Sequence, residues 1–227
     1  MNIMRMKGNR QGKSPKLLKN KDYQQALEAL FVDGSRMAGA DAVGISRILT
    51  ASGIRSVMIG GLVVGCHSGR PRATQDIDVI VDAVTLPIDV LKKLGLLVGS
   101  KKLEKHPSFI SFIKKTVLGD REVLDIITSK AGSYGMVFDN CVKLQIAGNE
   151  IQIPSAEMML VLKYTAAVNP VRQKAKQAQD WADIFAILDA NSKISVYTVA
   201  YLADLVVPGW GEDLANKIKL HRKNSAI

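Results

Sequence analysis

Two aspartates, Asp76 and Asp78, stand one residue apart within an apolar run that ends at Val81. Side chains of a β-strand alternate between its two faces, so a strand here would carry both carboxylates on one face and Ile77 and Val79 on the other. Two carboxylates so close together repel each other. A bound Mg²⁺ or Mn²⁺ would relieve that repulsion, because both ions prefer oxygen ligands. The pattern therefore predicts a strand that supplies part of a metal site.

A pair of glycines and a basic turn precede the two aspartates. Gly60 and Gly61 follow an apolar run at the point where a strand is expected to change into a helix. Glycine lets the backbone approach a ligand closely, and the free N–H groups of a helix N-terminus bind phosphate. The turn carries Arg70, Arg72 and Thr74, and arginine donates charge-assisted hydrogen bonds to phosphate oxygens. This combination favours phosphoryl or nucleotidyl transfer to an acceptor hydroxyl.

A third candidate carboxylate, Asp125, lies in residues 121–128, which are apolar after the first two positions. Carboxylates in apolar surroundings are rare unless they are paired or bind a metal. If this segment is a strand beside Asp76 and Asp78, three carboxylates would meet and could hold two metal ions, which clamp the attacking and leaving oxygens. The alternative for Asp125 is a buried salt bridge, for example with Arg70.

The order of these motifs resembles the nucleotidyltransferase superfamily with the polymerase-β-like fold. Within it, the form G-G-L-x-V-x-x-H-x-x-R-x-R-A-T-x-D-I-D, from Gly60 to Asp78, resembles the minimal nucleotidyltransferases. That group includes the abortive-infection toxins of bacterial toxin–antitoxin pairs. Residues 154–163 and 180–188 are similar to the helical half of these proteins. The resemblance covers roughly residues 55–188 of the chain.

The resemblance implies an enzyme that moves a nucleoside monophosphate from a nucleoside triphosphate to an acceptor hydroxyl and releases pyrophosphate. Asp76, Asp78 and Asp125 would be the catalytic residues and the ligands of two Mg²⁺ or Mn²⁺ ions. The residues expected to bind the triphosphate substrate are Gly60, Gly61, Arg70, Arg72, Thr74 and Lys163. Asp180 is expected to orient Lys163.

Several of these residues also have a purely structural interpretation. The glycine pair could serve only to form a tight turn, and Thr74 could cap one. Arg72 could pair with Asp82. Lys163 could extend along an apolar helix face with its ammonium in water. For Asp183 we favour an ion pair on a helix surface, since Lys174 and Lys176 lie nearby on the same helix.

The chain as a whole predicts an α/β fold, with a small mixed-sheet nucleotidyltransferase lobe (polymerase-β-like) followed by a C-terminal helical lobe. The expected divisions are a basic flexible arm at 1–21, the catalytic lobe at 22–153 and the helical lobe at 154–227. Strands are expected at 55–59, 76–81, 108–114 and 121–128, with a hairpin of 142–147 and 150–153 that turns at Gly148-Asn149. Helices are expected at 22–33, 40–51, 62–66, 86–97, 155–168, 172–190, 196–206 and 212–221.

The formal net charge of +10 is distributed unevenly along the 227 residues. Seven of the 31 basic residues and none of the 21 acidic ones lie in residues 1–21, which leaves 24 basic against 21 acidic residues in the remainder. A basic arm favours contact with RNA. The acceptor is therefore expected to be RNA, such as a transfer-RNA end, or else a protein, and an antitoxin partner is possible. A small polycationic acceptor fits a basic chain less well.

The remaining composition points to a cytoplasmic protein. No apolar run reaches the ~18 residues of a membrane span, and the two cysteines form no C-x-x-C pair. Two other classes stay open: an inactive nucleotidyltransferase-fold module that binds or regulates, and an unrelated phosphate-binding protein in which the aspartate pair is incidental.

Overall fold

The computed structural model describes residue 25 and residues 29–33, 35–36, 41–128 and 134–225. The expected basic arm at 1–21 lies outside the described residues, and so does most of the first half of the helix expected at 22–33. The strands are β1 (Ser56–Ile59), β2 (Ile77–Val81), β3 (Lys102–Lys105), β4 (Phe109–Thr116), β5 (Gly119–Thr128), β6 (Cys141–Ile146) and β7 (Asn149–Pro154). From residue 41 onward, the described helices are α1 (Ala42–Ala51), α2 (Gly60–Ser68), α3 (Ile88–Val98), α4 (Gly135–Asp139), α5 (Ala156–Ala167), α6 (Lys174–Ala190), α7 (Val196–Val206) and α8 (Trp210–Ser225).

The first five strands form one mixed sheet in the order β1-β2-β5-β4-β3. β2 and β5 are parallel, whereas the other neighbouring pairs are antiparallel. A parallel pair requires a crossover connection, which here contains α3 and the β3–β4 hairpin. β6 and β7 form a separate hairpin. The predicted α/β class with a small mixed sheet is confirmed.

The starts of α1 and α5 are set by side chains that accept hydrogen bonds from the first turn. Asp41 accepts from the Gly44 N–H (2.9 Å) at the start of α1. Ser155 accepts from the Met158 N–H (3.2 Å) at the start of α5, as its residue type predicts. These contacts satisfy N–H groups that have no partner within the helix. They place both helix starts within two residues of the sequence-based expectation.

Two described elements, β3 and α4, are absent from the sequence-based expectation. β3 has the sequence K-L-E-K and lies at the edge of the sheet, so it needs no apolar face and shows no alternation. The hairpin turn also differs from the prediction. Ala147 (φ 48°) and Gly148 (φ 74°) are the two turn residues, and Asn149 already belongs to β7. Two consecutive positive φ angles are characteristic of a tight two-residue hairpin.

One continuous cluster of buried apolar side chains extends from α1 through the sheet to α8. Helix α2 lies within it, since all but two of its residues are buried, and this explains why its sequence is apolar on every side. The helices after β7 pack on one another, and α6 also contacts α2. The boundary between a catalytic and a helical lobe at 153/154 stays a prediction. No described helix is long and apolar enough to span a membrane.

Candidate active site

The sheet brings the three predicted carboxylates together. Asp78 in β2 is the register partner of Asp125 in the parallel strand β5. Asp76 precedes β2 by one residue and lies on the same face as Asp78. One carboxylate oxygen from each of the three side chains lies within 4.8 Å of the others. Residues up to 49 positions apart in the sequence (Asp76 to Asp125) thus form a single acidic cluster.

Two hydroxyl groups orient Asp125 and Asp76 within this cluster. Ser111 in β4 is the register partner of Asp125, and its Oγ donates a hydrogen bond of 2.6 Å to Asp125 Oδ1. Thr74 Oγ1 lies 3.1 Å from Asp76 Oδ1 and 3.2 Å from the Asp76 carbonyl oxygen. Thr74 therefore holds Asp76 directly. The alternative salt bridge between Asp125 and Arg70 does not form, since the Arg70 side chain is exposed.

The glycine pair forms the first turn of α2 rather than a loop before it. Gly60 has φ 76°, and a Cβ placed there would overlap the carboxylate of Asp78. A Cβ on Gly61 would overlap the Arg72 guanidinium and lie 2.9 Å from Thr74 Oγ1. The missing side chains let the N-terminus of the helix approach the carboxylates and the basic turn. The N-terminus of α2 thus lies beside the acidic cluster, where its N–H groups suit an anionic ligand.

We expect Gly60→Ala to destabilise the protein for two reasons. Alanine disfavours the left-handed backbone conformation of this residue, and its Cβ would overlap the carboxylate of Asp78. Gly53→Ala is the matched control, because Gly53 has φ 69° and a Cβ there would meet nothing within 4 Å. Gly53→Ala should lose only the conformational term, about 1–2 kcal/mol. Chemical denaturation of both variants measures the difference. Equal losses would show that Asp78 moves aside at no cost.

The Arg72 side chain connects this turn to the helices that follow the sheet. Arg72 Nε donates a hydrogen bond of 2.7 Å to Asp183 Oδ1 in α6, and Gln179 Nε2 lies 3.1 Å from the same oxygen. The alternative pair of Arg72 with Asp82 is wrong, since Asp82 pairs with Arg55 at 3.2 Å. Arg72 is thus held by Asp183 at its Nε atom, while its Nη1 atom lies against Gly61.

Lys163 lies at the centre of a buried ion cluster. Its Nζ atom lies 2.9 Å from Asp180 Oδ1 and 2.7 Å from Asp183 Oδ2. Arg172 Nε donates to the other oxygen of Asp180 at 2.6 Å. Asp180 therefore orients Lys163, as expected, and Lys163 is buried (8% exposed) instead of reaching along a helix surface. Three cations (Lys163, Arg72 and Arg172) face two carboxylates.

The expectation for Asp183 is wrong. Its side chain is 3% exposed and pairs with Arg72 and Lys163, whereas a surface pair with a nearby lysine of α6 was expected. Asp183 Oδ2 lies close to the Lys163 ammonium but outside hydrogen-bond alignment, so its attraction to Lys163 is mainly electrostatic. Asp180 and Asp183 are one turn apart and share the helix face that α6 buries.

Burial and neighbouring charges raise the pKa of Asp78 to about 7. Desolvation is the largest cause, followed by the charges of Asp76 and Asp125, and the positive charges of Lys163 and Arg172 oppose it. Desolvation also raises the pKa of Asp125, and the hydrogen bond from Ser111 opposes that shift. Carboxylates that resist ionisation together are suited to binding a hard cation, because the cation removes their repulsion.

This pKa predicts that a divalent ion stabilises the protein increasingly as pH rises. Without metal, the raised pKa of Asp78 means that its contribution to stability is complete below the ordinary carboxylate pKa of about 4. That contribution is lost as pH rises through about 7. A cation offsets the loss only where the carboxylates are ionised. The difference between the Tm in Mn²⁺ and the Tm in EDTA should therefore grow from about pH 5.5 to about pH 8, a range that spans the folded-state pKa of about 7.

The matched measurement uses Asp78→Asn protein, which lacks the titrating group. Its metal-dependent rise in Tm should be small at every pH. A metal effect in the wild-type protein that is independent of pH over this window would contradict the electrostatic account of the cluster.

A polar cleft of about 940 Å³ opens beside the acidic cluster. The segment from Arg72 to Asp76 forms one wall and the β4–β5 hairpin forms another, while Lys102 and Glu104 of β3 and Lys176 of α6 complete the lining. The cleft is large enough for a nucleotide or part of a larger substrate. It gives substrates access to the carboxylates from the side of Asp76.

Sequence reasoning missed three residues of the site: Ser111, Arg172 and Asp183. Ser111 could have been found as a polar residue within the apolar run of β4. Asp183 could have been grouped with Asp180, because the spacing D-W-A-D places both on one helix face. Arg172 carries no comparable signal. The side chain of the predicted Arg70 forms no contact with the acidic cluster among the described residues.

Comparison with known proteins gives matches only at the level of structure. No protein-family model matches the chain, and no curated protein sequence matches it. A crystal structure of an antigenic nucleotidyltransferase-like protein from Paracoccidioides brasiliensis matches 84% of this chain and 92% of its own, with 18% identity and a TM-score of 0.48.

Two antibiotic-related proteins match with similar scores. The solution structure of the antibiotic-resistance factor ANT(2'')-Ia covers 80% of this chain and 94% of its own, at 17% identity and a TM-score of 0.44. The lincomycin-bound lincosamide antibiotic adenylyltransferase LnuA covers 63% of this chain and 93% of its own, at 20% identity and a TM-score of 0.43.

Proposed function

We propose that the protein is a metal-dependent nucleotidyltransferase. The observation that carries the proposal is the convergence of Asp76, Asp78 and Asp125 beside the N-terminus of α2. Carboxylates that share a cation and helix N–H groups that bind phosphate are the two parts that a metal–triphosphate substrate requires. An unrelated phosphate-binding protein would have no need of the carboxylates.

The proposed reaction forms one P–O bond and breaks another. The oxygen of an acceptor hydroxyl attacks the α-phosphorus of a nucleoside triphosphate, the bond to the β-phosphate oxygen breaks, and pyrophosphate leaves with that electron pair. The proton of the hydroxyl passes to water. Because little covalent chemistry falls to the protein, its residues act mainly by positioning the substrates and neutralising charge.

The proposed roles follow the positions of the side chains. Asp76 and Asp78 would hold two Mg²⁺ or Mn²⁺ ions, and Asp125 would hold the ion nearer the acceptor. Such ions, when bound, lower the pKa of a hydroxyl and neutralise phosphate charge. Gly60, Gly61, Thr74 and Arg70 belong to the proposed triphosphate site or its border.

The basic side chains would share the charge of the triphosphate. Asp183 holds the Nε atom of Arg72, and Nη1 donates to the Ala73 carbonyl oxygen at 3.3 Å, so phosphate would be bound by the remaining N–H groups of the terminal nitrogens. Lys163 belongs to a cluster with one more cation than carboxylates, so it contributes positive potential to the site from a buried position.

The acceptor is proposed to be RNA, such as a transfer-RNA end, or a protein hydroxyl. The seven basic residues of the N-terminal segment support RNA, since they would attract a polyanion. Activity as the toxin of a toxin–antitoxin pair, with an antitoxin as partner or acceptor, is part of the same proposal. The cytoplasmic location also belongs to it.

The test is transfer of label from each of the four nucleoside triphosphates, labelled with ³²P at the α-phosphate, in Mg²⁺ or Mn²⁺. Parallel reactions contain total RNA, protein extract or neither, and an Asp76→Ala/Asp78→Ala protein serves as the control. We expect label to enter one fraction with the wild-type protein only. RNA binding without transfer under all of these conditions would favour the inactive binding module instead.

A further inference from the structure

A second concave surface lies on the face of the sheet opposite the aspartates. On β4, Phe112 follows Ser111 and therefore points away from the side that carries Asp125. Phe112 and its register partner Leu103 form the floor of a groove of about 560 Å³ between α3 and β3. This groove, which we call the α3–β3 groove, lies on the opposite face of the sheet from the acidic cluster, and Lys102 at the sheet edge lines both the groove and the polar cleft.

Large apolar side chains remain exposed at the α3–β3 groove. Ile88 and Leu96 line it from α3 and are 69% and 84% exposed, while Leu103 is partly buried. Two large apolar side chains that are mostly exposed at the mouth of a concave surface indicate a partner with an apolar contact surface.

Gly95 keeps the groove open from the middle of α3. A Cβ on this residue would meet Ser100 O at 3.5 Å and Phe112 Cε1 at 3.7 Å, which are ordinary contacts. Alanine would therefore fit and is a better helix former. Neither the helix nor its packing requires a glycine here, but any larger residue would fill the groove.

The rim of the groove carries lysines that form no ion pair with a described carboxylate. Lys92, Lys101 and Lys105 line it and are exposed. Within the described part of the chain none of the three forms an ion pair, whereas their neighbour Lys102 pairs with Glu104 (2.9 Å) and Asp120 (3.4 Å). Three lysines with no carboxylate partner around an apolar floor call for a ligand that is both acidic and apolar.

The backbone of β3 supplies a third recognition element. Among the described residues β3 pairs only with β4, so the N–H and C=O groups on its outer edge have no strand partner. Strand periodicity places Leu103 and Lys105 on the groove face, and Lys101 precedes them with the same spacing. A strand added at this edge would face lysine, leucine and lysine at alternate positions.

We propose that the outer edge of β3 binds an extended polypeptide segment with the pattern acid-x-apolar-x-acid. Its backbone pairs with β3, its apolar side chain lies against Leu103 in the α3–β3 groove, and its two carboxylates meet Lys101 and Lys105. Opposite charges and apolar side chains paired across strands both stabilise a sheet. Addition of a strand to a sheet edge is a common mode of peptide recognition.

Lysines on an edge strand also prevent unspecific pairing, and this sharpens the selectivity. The lysines repel a basic strand, and a neutral strand would leave their positive charges unpaired. An acidic strand is therefore favoured. The basic N-terminal segment of this chain is therefore not the occupant. RNA fits poorly, because Phe112 is 1% exposed and cannot stack on bases.

The test is an NMR titration of the ¹⁵N-labelled full chain with a synthetic peptide. The peptide contains Glu-Thr-Leu-Thr-Glu flanked by threonines, in concentrations up to about 1 mM, which detects affinities expected of short segments. One control peptide has lysine in place of both glutamates. Another has proline in place of the central threonines, which removes backbone donors. Vesicles containing phosphatidylserine and a single-stranded RNA oligonucleotide test the other polyanions.

We expect shifts confined to β3, Ser100 and α3 with the acidic peptide, and none with either control peptide. Lys92→Glu/Lys101→Glu/Lys105→Glu should weaken binding at least about tenfold. Lys193→Glu/Lys219→Glu/Lys223→Glu, which makes the same change in net charge on exposed lysines elsewhere, should leave it unchanged. Gly95→Leu should fold and lose binding because its side chain fills the groove.

The proposal is overturned if the acidic peptide causes no shifts in β3, or if both triple variants bind it equally. It is also overturned if the proline peptide binds as well as the threonine peptide, since backbone pairing would then play no part. Stronger binding of vesicles or RNA through the same lysines would assign the surface to that polyanion instead.

Discussion

Asp78→Asn is expected to reduce nucleotidyl transfer by about a thousandfold or more and to make the metal-free protein more stable. Asp78 is the register partner of Asp125, and one of its carboxylate oxygens lies within 4.8 Å of an oxygen of each of the other two carboxylates in the cluster. Asparagine keeps the size of the side chain but removes the charge that would help to hold a cation. Transfer of the α-phosphate label at saturating Mn²⁺ measures the loss.

The gain in stability has a separate cause. The pKa of Asp78 is raised to about 7, chiefly by desolvation and then by the charges of Asp76 and Asp125. At pH 8 the folded protein must carry this unfavourable charge, and asparagine removes it. We expect a gain on the order of 1–4 kcal/mol at pH 8 in EDTA, and little gain at pH 5, where the wild-type carboxyl is protonated.

Asp82→Asn is the matched control, because Asp82 lies directly after the same strand, is half exposed and pairs with Arg55. It should change activity and stability only slightly, as expected of a surface pair. If Asp78→Asn were less stable than the wild-type protein at pH 8 without metal, the mutual repulsion of the carboxylates would not be the dominant effect. Retained activity would remove Asp78 from the proposed site.

Lys163→Met is expected to destabilise the protein by about 3–5 kcal/mol, the usual effect of removing one partner from a buried ion pair. Methionine fills much of the volume of lysine but leaves Asp180 and Asp183 without the ammonium that lies within 3 Å of both. Arg172 and Arg72 still hold one oxygen of each carboxylate. Urea unfolding at pH 7.5 gives the change in free energy of unfolding.

A double-mutant cycle separates the charge from the packing. Lys163→Met/Asp183→Asn removes one cation and one of its carboxylates, so its loss of stability should be smaller than the sum of the losses of the two single variants. Lys193→Met, at an exposed position, is the control for the change of residue type. Additive effects of Lys163→Met and Asp183→Asn would show that the two side chains are not coupled in solution.

The acidic cluster was predictable because each of its members has a local signal. The spacing of Asp76 and Asp78 places them on one face of any strand, and Asp125 is a lone charge in an apolar segment. The glycine pair was assigned to phosphate binding from its position after a strand. The structure adds a steric reason for glycine at both positions. The side chains of Asp78 and Arg72, which follow the pair by more than ten residues, occupy the space that Cβ atoms would fill.

The errors arise where a side chain is satisfied by a distant segment. Asp183 was assigned to a helix surface because its sequence neighbours offer lysines, yet its partner Arg72 lies 111 residues away. The sequence pattern does not predict β3, because this edge strand of four residues shows no alternation of apolar and polar side chains. The hairpin was placed correctly from its Gly-Asn pair, but the two turn residues are Ala147 and Gly148. That shift of one residue depends on the register of β6 and β7.

Periodicity and residue type were therefore sufficient for the α/β class, for most of the strands and helices, and for the three aspartates, because these properties depend on neighbours within a few residues. The burial of Lys163, the pairing of Arg72 with Asp183 and the groove at β3 depend on how α6 and α3 pack against the sheet. Contacts of that kind join residues far apart in the chain. A local pattern cannot specify such contacts, because the partner that satisfies a buried charge is chosen only when the helices and strands come together.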